Sequence, residues 1–233
     1  MEQRNRKMNK LLRCSYALLI FFISVNCFAL TQNDKLWLAV NSQQTLSVDK
    51  KWHSFIYSQF RYINESHAWQ AALIEGGIGY RFLDNESIWL EYRWTGHDPY
   101  NGFFQENRLF QQLLQIKKFN AAHLILRARL EEIQISNSSQ ISVRLRERIA
   151  VEIMHGYFWK MFPFLYDEVF FQLKNTDYTS NKFINQNRLF IGFNLYTGRK
   201  SWWEIGYINQ FQMRTPQNVQ NTMSHIFSVT YNF

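Results

Sequence analysis

A chain of 233 residues is long enough for one domain of ordinary size, and this one is rich in aromatics (18%) and has only three prolines. The formal charge of +8 is concentrated at the start, where Arg4, Arg6, Lys7, Lys10 and Arg13 stand beside the acid Glu2; without these six, 21 basic and 17 acidic groups remain, a net of +4. The remaining arginines are spread through alternating runs and interleaved with glutamates, with no basic patch of the kind nucleic acid requires, so nucleic acid is excluded as a partner.

The basic start is followed by the apolar run Tyr16–Val25 and then by Asn26-Cys27-Phe28-Ala29. This order reads as a secretory signal peptide, residues 1–29, cut after Ala29. The run is too short for an ordinary spanning helix, which needs about twenty residues. Met8 is an alternative start. An acylated Cys27 is disfavoured, because Val25-Asn26 is a poor match to the small residues such a site needs. Cys14 and Cys27 both fall in the removed segment, so the mature chain, residues 30–233, is expected to lack cysteine and therefore disulfides.

The mature chain then alternates with a period of two, which specifies strands. Lys35–Val48 reads as a first strand, with Asp49-Lys50 as a tight turn. Trp52–Ile63 sets Trp52, Ile56, Phe60 and Tyr62 against His53, Tyr57, Gln59 and Arg61. Gln70–Phe82, the turn Asp84-Asn85 and Ser87–Thr95 follow, the last with Ile88, Leu90, Tyr92 and Trp94 on one face. Glu106–Lys117 fits a helical stripe as well as a strand, and is assigned as a strand by its neighbours. His123–Ile153 forms a hairpin around the polar break ISNSSQ, with arginines and glutamates on one parity and leucine, isoleucine and valine on the other. His155-Gly156 reads as a turn. Tyr157–Lys174, Asn187–Tyr196, Trp202–Met213 and Thr222–Phe233 complete the set, separated by Asn175–Gln186, Thr197–Lys200 and Arg214–Asn221. About eleven strands result. A bacterial barrel with both ends in the periplasm requires an even number, so ten or twelve are expected, with twelve preferred.

Two folds suit this alternation. In a soluble sheet the apolar face is the core; in a membrane barrel it meets lipid, and the charged face is enclosed. The C-terminal strand favours the barrel: Phe227, Val229, Tyr231 and Phe233 alternate with Ile226, Ser228, Thr230 and Asn232 and end the chain on an aromatic, as an outer-membrane assembly signal does. The expectation is an all-β, antiparallel transmembrane β-barrel of about 10–12 strands in the outer membrane of a Gram-negative bacterium. Its partners would be outer-membrane lipid and the outer-membrane assembly machinery.

Charge parity identifies a candidate lumen. Arg61, Arg81, Arg93, Arg108, Arg127, Arg129, Arg144, Arg146, Arg148 and Arg188 lie opposite the apolar set. So do Glu75, Glu91, Glu106, Glu131, Glu152, Glu168 and Glu204. Enclosed charges must be paired or hydrated, and arginine's planar fork pairs with carboxylates bidentately. Glu147 breaks the pattern on the apolar parity; it should lie near a membrane interface, or the register should slip there.

The order of motifs ENRLFQQL, LRARLEE, RLRER, DEVFFQL, FINQNRLFIGF, WWEIGYINQF and SHIFSVTYNF resembles the bacterial family known as domain of unknown function 2490. The resemblance spans roughly Trp37–Phe233 and implies an outer-membrane β-barrel. It places the family's recurring polar positions on Glu106, Arg108, Gln112, Arg127, Arg129, Glu131, Arg144, Arg146, Glu168, Asn187, Arg188, Glu204 and Gln210. Asp167 stands where asparagine is expected. The resemblance supplies no activity.

Three functions are compatible with these features. The first is a structural barrel or narrow channel, whose arginine excess would favour small anionic solutes. The second is a lipid hydrolase, for which Ser224-His225 with Ser228, or Glu65-Ser66-His67, are the nearest groupings; His225 and Ser228 have opposite parity. The third is a binding protein, either a barrel acting through its loops or an exported soluble sheet. The histidines His53, His67, His97, His123, His155 and His225 show no ligand-like spacing, so neither metal nor cofactor is expected.

Overall fold

The computed structural model describes residues 30–63, 68–97, 102–154, 160–213 and 220–233. Eleven strands close into one barrel: β1 Leu30–Thr45, β2 Trp52–Ile63, β3 Ala68–Leu83, β4 Glu86–His97, β5 Gln105–Lys118, β6 Ala122–Ile135, β7 Ile141–Ile153, β8 Met161–Lys174, β9 Ile184–Tyr196, β10 Trp202–Gln212 and β11 Asn221–Asn232. Each strand from β1 to β11 pairs antiparallel with the next in sequence. The Glu106–Lys117 segment is a strand, paired along its length with β4 and β6. The signal peptide, the His155-Gly156 turn and His67 lie outside the described residues.

The expected even strand number is not observed. With eleven strands, β1 and β11 run in the same direction and must close the barrel in parallel. The hydrogen bonds at the seam have that signature. Phe233 N–H donates to the Asn41 carbonyl (3.0 Å), and Gln43 N–H donates to the Phe233 carbonyl (3.1 Å), so one residue spans two partners that flank a single position. Asn41 Nδ2 also donates to Asn232 Oδ1 at 3.0 Å. The even-number rule rests on an antiparallel closure, and a parallel seam removes it.

The first strand ends earlier than its sequence pattern suggests. Ser47 Oγ donates to Asp49 Oδ1, and the carboxylate accepts from Lys51 N–H at 3.2 Å, which turns the chain before Trp52. The Ser47 hydroxyl and the Lys51 amide hold the Asp49 carboxyl below its ordinary range. The rim where β11 ends, here the C-terminal rim, carries the two-residue turn Asp84-Asn85 and the short 119–121 connection. The opposite, N-terminal rim carries 98–104, 175–183 and 213–220.

Alternation sorts side chains onto the two faces. Outward lie Ile56 (62% exposed), Leu90 (58%), Ile149 (58%), Ile191 and Phe227, forming an apolar belt. Aromatics edge it at both rims: Trp52 against Tyr80, and Trp203 against Tyr231, which stacks in turn on Phe233, at the C-terminal rim; Phe60 against Trp69 at the other. Inward lie the charged residues together with large aromatics, among them Phe110, Phe170 and Phe190, all fully buried.

Two close approaches depend on glycine. Gly192 and Gly206 face each other across β9 and β10, and the Phe190 ring lies where either Cβ would be. Gly79 makes the same room for the Trp89 indole. In both cases the missing side chain lets a bulky inward ring lie flat against the wall.

Glu147 lies outward in the middle of β7, and the register on both sides is unbroken there (Ala128↔Glu147↔Val169). Neither an interfacial position nor a register slip accounts for it. One strand along, Asp167 is also outward, accepting from Asn187 Nδ2 at 2.6 Å. The two acids are diagonal neighbours on the outward face, since Ile149 pairs with Asp167 and Glu147 with Val169.

Candidate functional site

All eleven strands line the lumen, and inward positions of β5 to β9 converge on two buried carboxylate hubs. Glu131, on β6, is fully buried. It accepts from Arg144 (2.5 Å), Arg108 (3.2 Å) and Arg146 (3.3 Å). Glu168, on β8, pairs with Arg127 (2.6 Å), Arg146 (2.7 Å) and Arg188 (3.6 Å). Arg146 therefore joins the two hubs. A second group lies across the lumen, where Glu75 binds Arg93 and approaches Arg129 at 3.4 Å. Arg129 Nη2 is 2.8 Å from Glu91 but off hydrogen-bonding angle, and Gln112 accepts from the same guanidinium at 2.8 Å.

The guanidinium planes also stack on rings. Arg93 and Arg129 lie over Phe110 at 5.0 and 4.6 Å. Arg144, Arg146 and Arg188 lie over Phe170 at 4.7 to 4.9 Å. Desolvated contacts of this kind are worth about 2 kcal/mol each.

Between these layers the lumen holds two cavities. The larger, about 550 Å³, occupies the C-terminal half; the smaller, about 260 Å³, occupies the N-terminal half. Trp37, Arg61 and Arg188 line both. Arg61 and Arg188 lie over the Trp37 ring at 4.5 and 5.1 Å, while Gln59 and Gln210 accept from their Nε atoms at 2.7 Å. These three side chains form a septum.

The 175–183 connection borders the smaller cavity at the N-terminal rim. Tyr178 Oη donates to the Ile133 carbonyl (2.7 Å) and accepts from Ser142 N–H (3.2 Å), and burial raises its phenol above the ordinary value. Ser138 Oγ donates to Asp177 at 3.1 Å. The C-terminal rim has a different group: Glu152 accepts from Asn194 (2.8 Å) and Tyr196 (2.9 Å) and contacts His123 Nδ1 at 3.2 Å.

The remaining charged positions lie outside the two hubs. Glu106 pairs with Arg108 at 2.5 Å and with His97 at 3.9 Å. Arg148 and Glu204 line the larger cavity. Arg81 is exposed at the end of β3, apart from the others. Phe227, Val229, Tyr231 and Phe233 alternate along β11 and the terminal residue, with Phe227 and Phe233 exposed outward. His225 is outward, bonded to Tyr207, whereas Ser228 lines the larger cavity. The barrel wall therefore separates these two groups.

The stacking rings were not singled out from the sequence. Phe110, Phe170 and Trp37 share the parity of the charges, and that shared parity was the available signal.

An uncharacterized protein of Methylorubrum extorquens is 26% identical over 160 residues, covering 67% of this chain and 69% of the relative. Among solved structures, the siderophore receptor PirA from Pseudomonas aeruginosa aligns with 9% identity and a TM-score of 0.29, over 72% of this chain and 32% of the receptor. This chain thus spans about a third of the receptor's length. The model of the family described as protein of unknown function (DUF2490) matches residues 34–221, and the chain belongs to that family.

Proposed function

We propose that this protein is an integral outer-membrane β-barrel of a Gram-negative bacterium, exported by its first 29 residues, whose ion-paired lumen forms a narrow, anion-favouring conduit. The supporting observation is the closed barrel with an apolar belt outside and paired charges inside. Apolar surface that encircles a closed barrel has no second layer to cover it, and a soluble monomer rarely exposes so much. Lipid would cover it, with the rim aromatics at the two interfaces. Eleven strands enclose far less space than a porin, and the septum narrows it further.

The excess of arginine over glutamate in the lumen sets the sign of the favoured ion. Purified protein in planar bilayers should give small, anion-selective conductance, with the reversal potential in a salt gradient lying towards the anion's equilibrium value. Absence of conductance at every voltage would leave a structural barrel and remove the conduit.

A further inference from the structure

The larger cavity has two chemically distinct walls, and its charges do not balance. Its lining includes seven arginines and Lys118 against four glutamates. Arg127 and Arg148 are direct cross-strand partners on β6 and β7, an arrangement that repels unless something anionic lies between them. Their shared neighbour Glu168 is already bound by Arg127, Arg146 and Arg188. Arg148 packs over Tyr166 at 4.8 Å, its Nε is buried without an acceptor, and no carboxylate among the described residues lies within ion-pair distance of it. Glu152, in the same cavity, is held by His123, Asn194 and Tyr196. Glu204 reaches neither arginine at ion-pair distance.

Toward the C-terminal rim the wall beside these two arginines changes character. Phe55, Trp89, Leu114, Ile116, Ile125 and Phe164 line that part of the cavity. An inorganic ion would use only the arginines. A cationic floor below an apolar wall, in a volume within the range of small-molecule sites, suits a ligand with both features.

We propose that the larger cavity binds small amphiphilic oxoanions, with Arg127 and Arg148 gripping a phosphate-like head group and the Phe55–Trp89–Ile116–Ile125 wall receiving the apolar body. Arginine pairs bind such heads bidentately. The ligand enters through the C-terminal rim, because the barrel wall is closed. The inference rests on the membrane-barrel reading for its aqueous access, but not on ion passage.

The test uses the full chain in nanodiscs of zwitterionic lipid, titrated with 1-naphthyl phosphate by calorimetry. Saturable one-to-one binding is expected, with inorganic phosphate about tenfold weaker and 1-naphthol unable to compete. Arg148→Gln removes no ion pair, so the variant should keep the heat-modifiable mobility of the folded barrel and lose about tenfold in affinity. Ile116→Asn should weaken the naphthyl ester and leave inorganic phosphate unchanged. Competition by phosphatidic acid in the nanodisc would assign the same head-group chemistry to a lipid. No saturable binding, or equal affinity in Arg148→Gln, overturns the proposal; either result leaves conductance, measured separately, to decide the conduit.

Discussion

At the scale of single residues, Arg146 joins the two carboxylate hubs of the lumen, bridging Glu131 and Glu168 while lying over Phe170. Removing one partner of a buried ion pair costs roughly 3–5 kcal/mol, because the other charge stays buried. Arg146→Ala should therefore lower the temperature at which the folded band converts to the unfolded one, and should do so more than Arg199→Ala in the 197–201 connection. Equal temperatures for the two variants would reduce the lumen arginines to ordinary solvated residues. That Arg146 shares a face with the other charges was legible from parity; that this face is the enclosed one followed only with the barrel. Its position between two hubs was not legible, because parity gives a face but not which residues meet across the lumen. The same limit explains Arg81: it has the inward parity, yet it stands at a strand end where water reaches it. It also explains Phe110 and Phe170, whose parity matched the charges but whose apolar character pointed to the other face.

At the scale of elements, alternation specified most strands but not Gln105–Lys118, which a helical stripe fitted as well and which only its neighbours assigned. Strand pairing resolved that ambiguity, since a strand flanked by two ladders satisfies its backbone on both sides. The end of β1 was misjudged because Leu46 and Val48 continue an apolar pattern, whereas the Ser47–Asp49 turn ends the strand through side-chain hydrogen bonds. Gly206 supplies an element-scale prediction. Gly206→Ala places a methyl against the Phe190 ring and the β9 backbone, and overpacking of this kind costs about 1–3 kcal/mol. Its unfolding midpoint in urea should fall accordingly, and Gly206→Ala combined with Phe190→Leu should recover part of the loss. A midpoint unchanged in Gly206→Ala would mean that the ring does not depend on the glycine pair.

At the scale of the whole molecule, the strand number was nearly legible, since the sequence pattern yields about eleven segments. The expectation of an even count followed from assuming an antiparallel closure, and nothing in the alternation reports which way the two end strands run relative to each other. The seam bonds of Phe233 with Asn41 and Gln43 supply that information. Division of the lumen into two cavities was likewise beyond sequence reasoning, because it arises where Trp37 and Arg61, cross-strand partners on β1 and β2, meet Arg188 of β9. The central claim is that the outward belt faces lipid and the charged face does not. Nitroxide labels placed one at a time on cysteines substituted along Ser87–Thr95 of β4, in liposomes, test it directly. Cys14 and Cys27 are the only native cysteines, and both lie in the segment read as removed. The account predicts a period of two: labels at Ile88, Leu90 and Tyr92 collide with dissolved oxygen and are shielded from a water-soluble nickel chelate, while those at Trp89, Glu91 and Arg93 are not oxygen-rich. Ready access of the nickel chelate to Ile88, Leu90 and Tyr92 would contradict it.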